Sequence, residues 1–208
     1  HAGISVGPDG ATHQALEDIA IMRVLPRMTV ISPCDATQTK QATIASVEQI
    51  NGPVYIRFGR EPVPNFINDK MPFTIGKGQT LIEGNDVTII ATGNLVWQTI
   101  MAAEELRKHK INARVINIHT IKPIDTKLII NAAKETGCIV TAEEHQIYGG
   151  LGSAVAETIS ANYPTPIEFI GINNSFGESG TPQQLMEKYK LTSKHIIKSV
   201  LKVLKRKK

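Results

Sequence analysis

The residues with the most chemistry per unit length come at the start of the chain. The stretch HAGISVGPDGATHQ holds His1, Asp9 and His13 among Gly3, Gly7 and Gly10. Two imidazoles and a carboxylate can grip several hydroxyls at once, and histidine moves protons near neutral pH. The glycines let the segment fold back, so that His1 and His13 can reach one pocket. Asp9 stands between Pro8 and Gly10 in a tight-turn pattern, and Thr12 is a suitable N-cap for a helix that follows it. This would place His13 in the first helical turn, where the dipole disfavours imidazolium. Taken singly, Asp9 could form only an Asx turn and His13 could merely cover a helix end. Taken together, the three point to a polar ligand.

Two other places invite a chemical reading and support a plainer one. Glu143, Glu144 and His145 are consecutive but have no nucleophile beside them, which fits a hydrogen-bonded loop or a subunit contact. Gly149, Gly150 and Gly152 lead into a helix whose amides could hold an anion. That turn lacks both the Lys-Ser/Thr pair of a P-loop and a complete GxGxxG, so a close strand-to-helix turn without ligand is expected. Cys34 and Cys138 are far apart with no CxxC partner, and both read as reduced structural cysteines.

The elements that must position these groups alternate between two periods. A helix is predicted over Gln14 to Leu25 and stopped by Pro26, followed by the strand MTVIS. Asp35 caps a predicted helix over Ala36 to Ile50, and VYIRF is the next strand. Gly59 to Pro72 holds Pro62, Pro64 and Pro72 with neither period, which predicts a linker and a boundary near residue 65. Beyond it come the strand DVTIIATG, a helix over Leu95 to His109, the strand ARVINI, a helix capped by Asp125 and reaching Lys134, the strand CIVTAEE, a helix around Ala154 to Ser160 and the strand PIEFIGI. Strands separated by single helices need crossovers, so a mostly parallel sheet covered on both faces follows. In such sheets function gathers at the carboxyl ends of the strands.

The chain has 208 residues, 41% of them hydrophobic, enough for one large or two smaller cores. Its net charge of +4 is concentrated at one end. Lys190 to Lys208 carries eight of the 23 basic residues and no acid, leaving 15 basic against 19 acidic residues elsewhere, a net of −4. Within that tail Ile197, Val200, Leu201 and Leu204 recur at helical spacing, predicting a docked amphipathic helix with a solvated basic face. No aromatic residue interleaves with the lysines, which argues against nucleic acid. No apolar run is long enough for a membrane span and no leader precedes the first motif, so a soluble cytoplasmic protein is expected.

Several stretches carry a family resemblance. HAGISVGPDGATHQALEDIAIMRVLPRMTVISPCDATQTKQA resembles the second half of the pyrimidine-binding domain of transketolases, with its spacing of His, then DG, then THQ. INARVINIHTIKPID, EEHQIYGGLGSAVAE and FGESGTPQQLMEKYKL are similar to the transketolase C-terminal domain. The resemblance implies an α/β fold: a partial pyrimidine-binding domain over residues 1–65, then a three-layer C-terminal domain over 66–208 with a mostly parallel sheet. It implies transfer of a two-carbon ketol unit from a ketose phosphate to an aldose phosphate, as in the pentose phosphate pathway. His1 and His13 would be catalytic and, with Asp9 and Arg60, would bind the substrate. Arg60 is preferred over Arg57 for the phosphate, since it lies in the loop beyond the strand end.

The departures from the family pattern are equally specific. The activating glutamate and the aromatic residues that hold the cofactor ring, expected upstream of the histidine motif, do not occur here, nor does the GDG-type motif for magnesium and diphosphate. The chain therefore reads as a truncated piece of a C-terminal subunit, inactive alone, whose first sheet lacks strands unless a partner supplies them. Thiamine diphosphate and magnesium belong to the complete enzyme, and neither is expected to bind this polypeptide alone; this chain carries no complete cofactor site and no metal site. The implied partner is a transketolase N-terminal subunit or region, in a homodimer or heterotetramer. The nearest alternative is deoxyxylulose-phosphate synthase, which typically has Arg-Ala-Gly at His1, Ala2 and Gly3 and a YPRG pattern where FGRE stands here. A 2-oxoacid dehydrogenase β subunit, which usually lacks the DGxTH segment, and a non-catalytic assembly module complete the alternatives.

Overall fold

The computed structural model describes residues 1–207. Two sheets share the chain. In the first, strands β1 (Thr29–Ile31) and β2 (Val54–Ile56) run parallel, joined by helix α2 (Ala36–Glu48). The second has five strands: β3 (Gln79–Ile82), β4 (Val87–Ala91), β5 (Ala113–Asn117), β7 (Ile139–Gln146) and β8 (Ile167–Ile172), in the order β3-β5-β4-β7-β8. All of its pairings are parallel except that of β3 with β5. The remaining strand, β6 (Thr120–Lys122), leaves the second region and pairs antiparallel with β1. The first sheet is thus completed on one side from the same chain, which covers an edge of unpaired N–H and C=O groups.

Helices α3 (Leu95–Lys108), α4 (Thr126–Thr136), α5 (Leu151–Asn162) and α7 (Ser193–Leu204) cover the second sheet, and the short α6 (Pro182–Lys188) precedes α7. All five residues of β4 are buried, and its alternation divides them between two cores. Val87, Ile89 and Ala91 join Leu95, Val115, Val140, Ile196 and Val200, whereas Ile90 joins Ile116, Ile129, Ile139 and Val155. Full burial of each such side chain contributes about 1.5–3 kcal/mol, so a strand apolar on both faces is stable only between two helical layers.

Local signals account for most element ends. Asp35 accepts the Gln38 N–H at 2.8 Å and Asp125 accepts the Leu128 N–H at 3.1 Å, each at a helix start. Thr181 and Gln184 form a capping box around Pro182. Three expectations need correction. Helix α1 covers Asp18–Val24 and not Gln14 onward, because Gln14 to Leu16 are drawn into contacts with the opening loop and β7. The buried stripe of α7 is Ile196, Val200 and Val203, with Ile197 and Leu204 partly buried against the same core, so of the predicted face only Leu201, 45% exposed, turns away. Strands β3 and β6 were not anticipated from the sequence pattern.

The basic tail is partly neutralised, since Lys202 and Arg206 both pair with Glu168 of β8. Lys208, the last residue of that run, lies outside the described residues. Among the described residues no helix is long and apolar enough to cross a membrane.

Candidate functional site

The opening segment closes on itself. Ala2 and Ala15 form a parallel bridge, with the Gly3 N–H donating to Ala15 O at 2.9 Å and the Ala15 N–H to His1 O at 3.1 Å. Ile4–Asp9 forms a 3-10 turn interrupted at Gly7, whose φ of 82° suits glycine. The His13 N–H donates to Gly10 O, and the side chain of Gln14 donates to the carbonyls of Ile4, Gly7 and Glu178. His1 and His13 are both exposed at the closed end of this loop. His13 therefore does not sit in a helical first turn. Its Nδ1 lies 3.0 Å from Thr12 Oγ1, and Thr12 caps no helix.

The two arginines of the strand VYIRF and its following loop have separate surroundings. Arg60 is 48% exposed and forms an ion pair with Asp9 of the opening loop. Arg57, 6% exposed, donates from Nε to Asp18 Oδ2 at 2.7 Å and from Nη2 to the carbonyls of Ala15 at 3.1 Å and Glu144 at 2.9 Å. Asp18 also accepts from the Tyr55 hydroxyl at 2.8 Å. Burial works to raise the Asp18 pKa, but the Arg57 charge and these hydrogen bonds outweigh it and hold the carboxyl below its usual range.

Beneath the loop lie the three consecutive residues singled out in the sequence. Glu143 accepts the N–H groups of Leu151 at 2.7 Å and Gly152 at 2.8 Å, so the amides at the start of α5 are held by a side chain of the protein. A Cβ at Gly150 would lie 2.0 Å from Glu143 Oε2, which is why the turn needs glycine there. His145 Nε2 accepts the Ala20 N–H at 3.3 Å, assigning the ring proton to Nδ1, which is 2.7 Å from Gln146 O. Glu144 accepts the Ser5 N–H at 2.5 Å and an Asn94 amide N–H at 3.2 Å. Burial raises the pKa of both glutamates, opposed for Glu143 by His145 and two backbone amides and for Glu144 by Ser5, Arg57 and Asn94. The trio is an internal frame.

A cleft of about 420 Å³ opens beside this frame, lined by Trp97, Gln98, Met186 and Glu61 together with Ser5, Asn94 and Glu144. None of His1, Asp9, His13 or Arg60 is part of its wall. The four sit instead at the open surface, where they offer two imidazoles, a carboxylate and a guanidinium. That donor set fits the hydroxyls and the terminal anion of a sugar phosphate. It does not compose a site for thiamine diphosphate, whose magnesium needs several oxygen ligands. Among the described residues no three of His, Cys, Asp and Glu are grouped to hold a metal ion.

Sequence reasoning overlooked Asn94. Its position before a helix suggests a cap, yet its side chain does not cap α3 and turns to Ser5 and Glu144. No local pattern announces that use.

Comparisons with known proteins agree over the whole chain. The family model described as the transketolase pyrimidine binding domain matches residues 1–65, and that of the transketolase C-terminal domain matches residues 76–196. A 6-deoxy-6-sulfo-D-fructose transketolase subunit from Clostridium sp. is 43% identical over 99% of this chain and 63% of its own length. A subunit of an apulose-4-phosphate transketolase from Phocaeicola vulgatus is 42% identical, with 98% and 65% covered. A putative transketolase C-terminal section from Methanocaldococcus jannaschii is 43% identical, with 99% and 65% covered. The chain thus spans less than two thirds of the length of these curated relatives. The solved structure of a split-gene transketolase, an "inactive beta4 tetramer", superposes with a TM-score of 0.94 at 48% identity, covering 100% of this chain and 66% of that one.

Proposed function

The chain belongs to the transketolase family, and from that premise we propose that it is the substrate-facing part of a transketolase C-terminal subunit. In this reading the complete assembly moves a two-carbon ketol unit from a ketose to an aldose, both ending in a phosphate or a similar anion. The N-terminal subunit is its partner, the assembly is a homodimer or heterotetramer, and the location is cytoplasmic. Thiamine diphosphate with magnesium, held by the rest of the assembly, supplies the cleavage and reforming of the carbon–carbon bond. This polypeptide alone binds neither and is inactive.

What supports the reading is the closed loop held by the Ala2–Ala15 bridge, which carries His1, Asp9 and His13, and the ion pair that joins its Asp9 to Arg60. Arg60 keeps further N–H donors for a terminal phosphate while bound to Asp9. Asp9 accepts from a sugar hydroxyl near the reacting carbonyl. His1 and His13 hold hydroxyls, and an imidazole nitrogen can take a hydroxyl proton as the bond beside it breaks and return it afterwards. The relatives named for a sulfonated fructose and for apulose 4-phosphate support a sugar bearing a terminal anion as the substrate class.

A second reading has one observation in its favour: a 1-deoxy-D-xylulose-5-phosphate synthase from Trichormus variabilis is 40% identical over 96% of this chain. One experiment separates the two readings. The complete subunit is assembled with its N-terminal partner, thiamine diphosphate and magnesium, and tested on phosphorylated sugars, in the absence and presence of pyruvate as an acetyl donor, with and without His13→Ala. Ketol transfer that drops about 10²- to 10⁴-fold in the variant is expected. Unchanged transfer would favour a non-catalytic assembly role, and formation of 1-deoxyxylulose 5-phosphate would favour the synthase. Titration calorimetry of the 208-residue chain with thiamine diphosphate is expected to give no heat of tight binding.

A further inference from the structure

The four candidate site residues lie on two separate segments, and one polar pair from the second sheet, the buried Glu144 and the half-buried Asn94, touches both. Strands β4 and β7 are adjacent and parallel, with Ala91 opposite Ala142, which brings the residues just past the end of β4 beside the last residues of β7. Here Asn94 meets Glu144. The Asn94 amide donates to Glu144 Oε2 at 3.2 Å and to Ser5 Oγ at 3.3 Å, and Glu144 Oε1 accepts the Ser5 N–H at 2.5 Å.

Two glycines pack directly on this pair. A Cβ at Gly3 would meet Glu144 Oε1 at 2.2 Å, and one at Gly59 would meet Asn94 Nδ2 at 2.9 Å. Gly3 and Ser5 belong to the loop that carries His1 and Asp9, and Gly59 immediately precedes Arg60. The pair is therefore wedged between the histidine-bearing loop and the arginine-bearing loop. Glu144 is buried, so its hydrogen bonds are formed away from competing water. Asn94 makes this contact in place of a side-chain cap hydrogen bond at the α3 N-terminus.

We propose that Asn94 and Glu144 are positioning residues through which the second sheet sets the spacing between His1 and Asp9 on one side and Arg60 on the other. The proposal rests on the transketolase reading for its substrate. The second sheet supplies none of the four substrate-facing groups and acts by holding their two segments against a common support. A displacement of about 1 Å at such a distance can cost on the order of 10²-fold in rate.

The test uses the complete subunit assembled with its partner and cofactor. Asn94→Ala is expected to lower kcat/KM for the phosphorylated ketose at least about tenfold, mainly through KM, while the thermal midpoint falls by less than about 4 °C. Glu144→Gln is expected to stay within about threefold of the parent, since its Oε1 still accepts from Ser5 and its amide can donate to a flipped Asn94. Glu144→Ala should behave like Asn94→Ala. Hydrogen exchange at the Ser5 amide should accelerate in both alanine variants and remain slow in Glu144→Gln, and the amide NMR shifts of Gly59 and Arg60 should move in both alanine variants. Should Asn94→Ala fail to fold, Asn94→Ser restores a cap while being too short to reach both partners.

Parental kcat/KM in the alanine variants overturns the proposal, and so does unchanged exchange at the Ser5 amide or unmoved amide shifts at Gly59 and Arg60. A parent assembly that transfers no ketol unit sinks the functional reading by itself. The exchange and shift data then still decide whether the pair couples the two segments.

Discussion

Arg57 and Arg60 are three residues apart and chemically identical, yet their removal should have opposite effects. Arg57→Leu takes away a buried guanidinium whose partners are the Asp18 carboxylate and the carbonyls of Ala15 and Glu144. Asp18 would keep only the Tyr55 hydroxyl, and its Oδ1 already has no partner. Removing one member of a buried ion pair costs about 3–5 kcal/mol. For a chain of this size that lowers the thermal midpoint by roughly 6–20 °C. Arg60→Leu breaks a pair whose members are 48% and 34% exposed, so its cost to stability is below about 1 kcal/mol.

Function should divide in the reverse sense. Loss of the proposed charge-assisted contact from Arg60 to a phosphate is expected to cost about 1.5–3 kcal/mol, or roughly ten- to hundredfold in KM for a sugar phosphate. The assay is thermal unfolding of the complete subunit for stability and steady-state kinetics of the assembly for activity. Replacing both Arg57 and Asp18 with Leu should recover part of the loss, because no buried charge is then left without a partner. The reasoning fails if Arg57→Leu unfolds within about 1 kcal/mol of the parent, or if Arg60→Leu is the more destabilising change.

Two further outcomes follow from buried groups. His119 stacks on Phe73 at 4.1 Å, and burial pushes its pKa down to about 4 against the opposing pull of Asp125. Between about pH 4 and 6.5 the unfolded chain binds a proton that the folded one does not, so this group makes stability fall as the pH drops through that window. The His119→Gln variant should lack that contribution, about 3 kcal/mol at the acid end, and parallel pH curves for parent and variant would refute it. Gly150→Ala places a Cβ 2.0 Å from Glu143 Oε2 and must displace the carboxylate from the Leu151 and Gly152 amides. A loss of about 2–4 kcal/mol in urea unfolding is expected, and a change under about 0.5 kcal/mol would show that the turn has room to spare.

Much of the architecture was legible because its signals are local. The helix starts at Asp35 and Asp125 depend on a side chain reaching an amide three residues on, and the buried runs in β4, β5 and β7 announce strands covered on both faces. The start of α1 was not legible. Helical spacing from Gln14 to Leu16 is overridden by the pairing of Ala15 with Ala2 and of the Leu16 carbonyl with the Gln146 N–H, partners far away in the chain. The short strand β6 escaped notice for a similar reason, since three residues carry too little pattern until β1 offers them an edge.

At the site, residue type and spacing singled out His1, Asp9 and His13, and the family resemblance added Arg60. They could not reveal that Asp9 and Arg60 would pair across about fifty residues, nor that Arg57 would be enclosed while Arg60 faces solvent. Glu143, Glu144 and His145 looked alike as a polar trio, but each serves a different segment: α5, the opening loop and α1.

The sequence by itself determined the α/β alternation, the family motifs and the cluster of imidazoles and a carboxylate in the opening loop, because these reside in neighbouring residues and their periodicity. Only the tertiary structure decided which groups are neighbours: Asn94 beside Glu144, and both against Gly3 and Gly59. The physical reason is that burial and hydrogen-bond geometry depend on distances set by the whole packed chain, and sequence separation does not encode them.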